Sequence, residues 1–485
     1  MKRSKLTFLM ILSVLLMATT VFGQTWWVYS QLGNSAADAV KEIEDGYVHC
    51  GITFNVPRGG AYLSKSDKQT EQIIWYRYYP SLFSQQTCGW DLVPTPGDNG
   101  FAILAQDDIG FGWCMRLIKT NMVGDTIWNR YFSAPAPANE FDPPYYFSYF
   151  SPNSGFVLGA NRDNYPLPQS IFLIRTTSSG DTLWTRNIAP DTHHLDIGIY
   201  DLTTRDNKIF LLGNASVRAS PTGGPIWRTL LAEISENGQI VRKTEYFDPQ
   251  WQTGIHFSGI RFFHLENENS FLVVGFKSNR VLDSVYLFLL KVDSSQNQLW
   301  QKLYNFRTLN LFNAVPRKIW QRGNSIYIPL IATFGDAYTE RQLVGLIKTD
   351  INGNFISFDT FPHPTYGEAN LRDAIPASDN SILFAGRVPP AYGHAFLMKL
   401  PLAGLEESQT VNLLPSLIRV FPNPSTGLVN FQISNGKNEI LKIYDVTGKL
   451  VREVEIRNKI QLQLKAGIYF FRLCDQKGKV VILGQ

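Results

Sequence analysis

The densest grouping of metal-ligand side chains in the sequence is Asp191-Thr192-His193-His194-Leu195-Asp196. Imidazole and carboxylate together suit zinc and other borderline cations. Neighbouring residues on a strand point to opposite faces, so both histidines reach one ion only if the segment is a loop, and no metal site is assigned. Hydrolysis or elimination on a polysaccharide needs two carboxyl groups converging at a set distance. Asp107, Asp108, Asp142, Asp191 and Asp336 fall in expected loops, yet nothing in their spacing selects a pair. The sequence has no Gly-x-Ser-x-Gly elbow, HExxH, P-loop or Asp-rich calcium loop. No catalytic residue and no cofactor is assigned on this basis.

The longest aromatic run is Phe141-Asp142-Pro143-Pro144-Tyr145-Tyr146-Phe147-Ser148-Tyr149-Phe150. As a connecting loop it would offer Tyr145, Tyr146 and Tyr149 to a sugar or a protein partner. As a structural segment it would pack over the body, part of it as a strand. Cys50, Cys88, Cys114 and Cys474 show no CxxC spacing, which argues against zinc. They read as small buried residues, with a Cys88–Cys114 disulfide left open and Cys474 as a packed or free thiol. A net charge of +4 over 485 residues, with no basic stripe, gives no reason to expect nucleic acid.

The elements that must position these residues follow a repeat. An apolar strand, a polar turn and a strand starting near Trp recur. The clear copies are Leu117-Ile118-Lys119-Thr120 leading to Gly124-Asp125-Thr126-Ile127-Trp128, and Leu173-Ile174-Arg175-Thr176 leading to Gly180-Asp181-Thr182-Leu183-Trp184. Trp27, Trp75, Trp128, Trp184 and Trp300, with Arg242 and Ser357 where the indole is lost, give seven equivalent positions 48 to 58 residues apart. Short apolar runs ending in glycine precede them, such as Gly155–Gly159, Lys208–Gly213, Ser270–Gly275 and Ser381–Gly386. They fit strands buried on both faces. The spacing predicts an all-β, seven-bladed β-propeller over 24–401, with the indoles packing one blade on the next. The last unit lacks its Trp strand and the first strand has none before it, so pairing the two would close the ring and remove an exposed edge.

The Gly-to-Trp spacing of four resembles the tryptophan docking repeats of quinoprotein-like and WD40-like propellers, where those residues dock blades and bind no cofactor. Sialidase Asp-boxes place Gly and Trp three apart with the acid before the glycine, and the match to them fails.

Residues 402–416 read as a linker. Seven strand-like runs follow in 417–485, with one-in-two alternation in Leu428–Ile433 and Ile460–Leu464, which predicts a small immunoglobulin-like β-sandwich. Four motifs occur there in order. They are Pro422-Asn423-Pro424-Ser425-Thr426-Gly427, then Tyr444-Asp445-Val446-Thr447-Gly448, then Ala466-Gly467-Ile468-Tyr469, then Gly478–Leu483. This segment resembles the type A C-terminal sorting domains of type IX secretion. The resemblance implies passage through the periplasm, recognition by an outer-membrane translocon and sortase, and release or attachment at the cell surface. The ending Gly484-Gln485 departs from the lysine-containing ending of many members, which bears on attachment more than on secretion. At the other end, Lys2, Arg3 and Lys5 precede an apolar run from Leu6 to Leu16 that continues to Phe22, and Val21 and Gly23 fit a cut before Gln24. Residues 1–23 are thus a predicted signal peptide, with no later segment apolar enough to span a membrane. Two functions from different classes stay open: a glycan- or protein-binding platform, and a polysaccharide-acting hydrolase or lyase with a site between blades.

Overall fold

The computed structural model describes residues 25–482 apart from 30–31, 55–58, 70–71, 82–86, 96, 98, 109–112, 134–140, 152–154, 165–166, 219–224, 248–254, 266–267, 280–283, 306–310, 312, 335–339, 390–392, 403–417, 422–426, 434–437 and 474–475. The regular elements among them are all β-strands. The chain divides into two compact units, 1–410 and 411–485.

In the first unit the described strands form seven antiparallel sheets, taken in chain order. Sheet I holds Ser35–Ile43, Gly46–Thr53, Gly60–Asp67 and Ile73–Pro80. Sheet II holds Thr87–Thr95, Gly100–Asp108, Trp113–Asn121 and Thr126–Phe132. Sheet III holds Phe141–Ser151, Gly155–Asn164, Leu167–Thr176 and Thr182–Ile188. Sheet IV holds His194–Arg205, Lys208–Arg218, Pro225–Ser235 and Ile240–Tyr246. Sheet V holds Ile255–Leu265, Ser270–Asn279, Ser284–Val292 and Gln298–Asn305. Sheet VI starts with two short pieces, Asn313–Pro316 and Trp320–Arg322, followed by Ser325–Phe334, Arg341–Asp350 and Phe355–Phe361. Sheet VII holds Asn370–Pro376, Ser381–Val388 and His394–Pro401, and its fourth strand is Thr25–Val28 from the other end of the unit. Each sheet touches the next, and sheet VII touches sheet I.

The repeated Trp has a common register. Trp75, Trp128, Trp184 and Trp300 lie opposite Lys65, Lys119, Arg175 and Lys291 on the third strands of their sheets. Arg242 and Ser357 lie opposite Glu233 and Lys348 in the same way. In sheet VII the corresponding residue, opposite Lys399, is Thr25, and Trp27 lies two residues on, opposite Leu397. Trp27 therefore takes the place that Arg77 and Arg130 hold in sheets I and II. The equivalent position in sheet VII is therefore Thr25, not Trp27, and the first interval becomes 50 residues. Trp27 still packs on the core shared by sheets VII and I.

In sheets I to V the outer strand grips the last turn of the following sheet. Gly124 and Gly180 have φ of +81° and lie against the indoles of Trp75 and Trp128, leaving no room for a Cβ. Gly353 does the same on Trp300. Beyond the indole, Arg77 pairs with Asp125 at 2.9 Å and Arg130 with Asp181 at 3.3 Å. The hydroxyls of Tyr79, Tyr246 and Tyr304 donate to the carbonyls of Gly124, Gln296 and Gly353 at 2.6–2.7 Å. In sequence this is Trp75-x-Arg77-x-Tyr79 in sheet I, with Phe132 in the tyrosine place in sheet II and Lys302 in the arginine place in sheet V, each against a glycine turn of the next sheet. Two of the third-strand cations are paired with acids, Lys65 donating to Asp45 at 2.6 Å and Lys291 to Glu268, while Lys119 and Arg175 donate to the carbonyls of Thr120 and Thr176. Sheet IV reverses the signs, with Glu233 accepting from Lys208 at 2.7 Å.

The second unit has a three-stranded sheet of Ile418–Phe421, Leu428–Ile433 and Lys459–Gln463, and a four-stranded sheet of Leu450–Ile456, Glu439–Asp445, Gly467–Leu473 and Gln476–Ile482. Val429 and Phe431 from the first sheet share one core with Leu441, Ile443, Leu473 and Val480 from the second. The rings of Phe431 and Phe471 meet edge-on at 5.5 Å.

Candidate functional site: the mouth at the centre of the sheets

The first strands of the sheets turn toward one another, and most carry an irregularity there. The ladder slips between Ala37 and Ala39, Gly89 and Asp91, Ile199 and Asp201, Gly259 and Arg261, and Leu371 and Asp373. A β-bulge inserts one residue, bends the strand and re-aims its side chains. The second strand comes close at these points: a Cβ on Gly51 or Gly386 would meet the Ala36 or Asn370 carbonyl oxygen at about 2 Å, so only glycine fits. The re-aimed residues, with Arg317 and Lys318 from the break in sheet VI, surround a cavity of about 270 Å³. It is lined by Asp38, Trp90, Asp91, Tyr146, Asp201, Arg261, Arg317, Lys318, Arg372 and Asp373.

Most of the acids at this mouth are already engaged. Asp373 accepts from the Val40 amide at 3.0 Å and faces Lys318 at 3.4 Å and Lys41 at 3.9 Å. Burial alone would raise its carboxyl, but Lys318 and Lys41 outweigh it and hold the group below the usual range. Asp201 accepts from the Leu202 and Phe262 amides at 3.0 and 3.1 Å, and burial pushes it up. Asp38 lies 3.6 Å from Arg372 and accepts from the Cys88 thiol at 3.8 Å. Burial raises it too, against Arg372, Arg317 and Arg387. Asp91 accepts from the Leu92 amide at 2.8 Å and faces Lys41 at 3.9 Å.

The cations are less evenly served. Arg261 donates to the carbonyls of Tyr200, Ile260 and Arg317 at 2.7–2.9 Å and lies 5.8 Å from the Tyr146 ring centre. Arg317 is lowered to about 10, by burial first and then by Arg261 and Arg372. The Nε atoms of Arg317 and Arg372 are buried and make no hydrogen bond.

Of the residues singled out from sequence, Tyr146 alone lines this cavity. Its segment is a strand, not a connecting loop: Phe141–Ser151 is the first strand of sheet III. Pro143 and Pro144 lack amide donors, and the pairing with Gly155–Asn164 is interrupted there, between Asp142 and Tyr146. Tyr146 is buried, which pushes its hydroxyl up to about 12. Tyr145 and Tyr149 lie on the same strand. Asp107 is buried in sheet II and accepts from Ser81, from Thr87 at 3.1 Å and from Arg116 at 3.3 Å. Asp108 and Asp142 end and begin strands, and Asp336 lies outside the described residues. His194 is held between Asp191 at 2.6 Å and Glu245 at 2.8 Å, while Asp191 also accepts the His193 amide. Cys50, Cys88 and Cys114 are free thiols. Cys88 and Cys114 lie on the first and third strands of sheet II, opposite Gln106 and Asp107 of the strand between them. That strand keeps them apart and corrects the disulfide left open above. Cys474 is outside the described residues.

Sequence reading missed the charged residues of the mouth. Their signal was a second periodic series, Asp38, Asp91, Tyr146, Asp201, Arg261, Arg317 and Asp373, spaced 53 to 60 residues apart. Each sits where alternation breaks, and a pattern search rewards the unbroken strands beside it.

In the second unit, Tyr444 and Asp445 end a strand whose turn is closed by the Asp445 carboxylate, which accepts from Thr447 and Lys449 amides at 2.9 and 3.1 Å. Gly448 takes φ +81° in that turn. Gly467 opens the next strand, and the Tyr469 hydroxyl donates to the Lys465 carbonyl at 3.0 Å. Gly427 has φ +132°, whereas Pro422, Asn423, Pro424 and Ser425 lie outside the described residues, as do 1–24. Residues 419–482 match the family described as secretion system C-terminal sorting domain. The C-terminal unit is a secretion sorting domain. The sorting domain places the protein on the type IX route, through the periplasm to the exterior or the outer-membrane surface. No helix among the described residues is long and apolar enough to cross a membrane.

No curated protein matches the chain by sequence. Among solved structures, Drosophila Semaphorin 2a is 8% identical with a TM-score of 0.51, covering 93% of this chain and 97% of that one. The Dos1 propeller is 11% identical at a TM-score of 0.45, covering 77% and 93%. The β-propeller domain of the Trilobed protease from Pyrococcus furiosus is 9% identical at 0.41, covering 76% and 95%. The body preceding the sorting domain has a β-propeller fold.

Proposed function

We propose that this exported protein is a ligand-binding platform whose site is the mouth of the propeller's central channel, and that its ligand is a glycan. In this reading residues 1–23 are the signal peptide, 24–401 form a seven-bladed propeller closed by Thr25–Val28, 402–416 link the domains, and 417–485 form an immunoglobulin-like sandwich read by the translocon and sortase. The seven sheets touching in sequence order, with sheet VII meeting sheet I, support the count and the closure. The two sheets sharing the core around Phe431 support the sandwich.

One observation carries the choice of binding over hydrolysis. Each of the four carboxylates of the mouth already meets a backbone amide, a thiol or a neighbouring cation, and the buried atoms there without a hydrogen bond are Arg317 Nε, Arg372 Nε and Asp373 Oδ1, the last facing Lys318 at 3.4 Å. A glycosidase needs an acid and a base or nucleophile free to act on the substrate. The test is a glycan-binding and turnover screen on the full chain, repeated with Trp90→Ala. Binding without turnover that is lost in Trp90→Ala is the expected result. Polysaccharide cleavage abolished by Asp38→Asn would establish the hydrolase reading instead.

A further inference from the structure

Resting on the mouth being the binding site, we propose that it takes a carboxylate-bearing sugar unit, a hexuronate. The charge balance points first. Arg261, Arg317, Lys318 and Arg372 line the cavity against Asp38, Asp91, Asp201 and Asp373. Lys41 stands within 4 Å of Asp91 and Asp373, and Arg387 acts on Asp38. Six cations therefore face four carboxylates, a formal excess of positive charge.

The unspent donors point second. Arg317 Nε and Arg372 Nε are buried without a hydrogen bond. The nearest acid to Arg372, Asp38, is 3.6 Å away, too far for one. A buried N–H left unpaired is costly, and a planar guanidinium matches the two oxygens of a carboxylate. A ligand carboxylate between these arginines would pair both.

The remaining lining separates a sugar acid from a bare anion. Trp90 presents a ring that is only partly buried, its Nε1 tied to Gln106 at 2.9 Å. A pyranose face stacks on such a ring. Asp38, Asp91 and Asp201 keep lone pairs beyond those their present partners use, and these can accept from sugar hydroxyls. At about 270 Å³ the recess lies at the lower bound of small-molecule sites, the size of one ring rather than a chain. An inorganic anion would use the arginines and leave Trp90 and the acids idle.

Titration calorimetry of the full chain with galacturonate, glucuronate, galactose, glucose and sulfate tests the assignment. A uronate should bind, the matching neutral sugar should bind at least about tenfold more weakly, and the uronate affinity should fall as salt rises. Arg317→Gln and Arg372→Gln should each weaken uronate binding by about ten- to a hundredfold. Lys318→Met, at a half-exposed position, provides a second reading should an arginine variant fold poorly; it should weaken the uronate and spare the neutral sugar. Equal affinity for neutral sugars, no uronate binding, or sulfate competing as well as the uronate would each overturn the inference. A neutral glycan whose binding is lost in Trp90→Ala and kept in Arg372→Gln would sink the acidic ligand while the mouth stands. A ligand that no mouth variant affects would sink both.

Discussion

Replacing Gly180 by alanine probes the contact that joins sheet II to sheet III. Gly180 has φ +81°, and an L side chain in that left-handed region costs about 1–2 kcal/mol. The added Cβ would also stand 2.8 Å from the Trp128 ring and 2.7 Å from Arg130 Cγ. Arg130 can swing aside, but the indole rests on Phe156, ring centres 6.3 Å apart, and overpacking of this kind costs about 1–3 kcal/mol. The sum is a loss of about 2–5 kcal/mol. Gly323 supplies the control, because it has φ +54° with nothing within 4 Å of its Cβ position. Gly323→Ala should lose only the backbone part, about 1–2 kcal/mol. Urea unfolding followed by tryptophan fluorescence isolates the propeller, since all 11 tryptophans precede residue 402. The difference is read from midpoints at constant m. In a Trp128→Ala background, Gly180→Ala should shrink to the Gly323→Ala value, a coupling of about 1–3 kcal/mol. Equal losses for the two glycines, or no relief in the double variant, would refute the docking of turn on indole.

Arg116→Met should cost about 3–5 kcal/mol in the same assay, because it strands the buried Asp107 carboxylate. His49 is fully buried beside Tyr29 and Tyr62, and burial lowers it to about 3. The unfolded chain thus takes up a proton that the folded chain refuses. Stability should fall by roughly 3–5 kcal/mol as pH drops from about 6.5 to about 3, and His49→Phe should flatten that limb in urea titrations across pH. Trp27→Pro removes the amide paired opposite Leu397 and should destabilise the propeller by about 3 kcal/mol or more, seen in the same fluorescence transition. Deleting 417–485 should hold the protein in the periplasm, read by cell fractionation; equal export without that segment would exclude the sorting role.

The parts legible in the sequence were those where one physical demand repeats without interruption. Trp128, Arg130 and the turn at Gly180 recur because every sheet must cover its neighbour, and the family motifs around Tyr444 and Gly467 stand out because turn geometry restricts them. The strand at Trp27 could be placed beside His394–Pro401, but its register could not. Spacing counts residues, whereas register depends on which side chain faces the partner, and Trp26 and Trp27 are adjacent. In sequence Phe141–Ser151 admits both a connecting loop and a partial strand, because Pro143-Pro144 is turn chemistry, and the ladder simply resumes at Tyr146. The mouth was invisible for the converse reason. A bulge serves by breaking alternation, so Asp38, Asp201 and Arg261 look like isolated surface charges until seven strands bring them together.

The strand Thr25–Val28 sits opposite Phe396–Lys399, 368 to 374 positions later in the chain. Trp26 and Trp27 therefore meet their partner strand only once the chain has been made as far as His394–Pro401. Any product cut short before His394 would leave Thr25–Val28 without its partner strand. The pairing thus ties the first strand of the body to the completion of its last sheet.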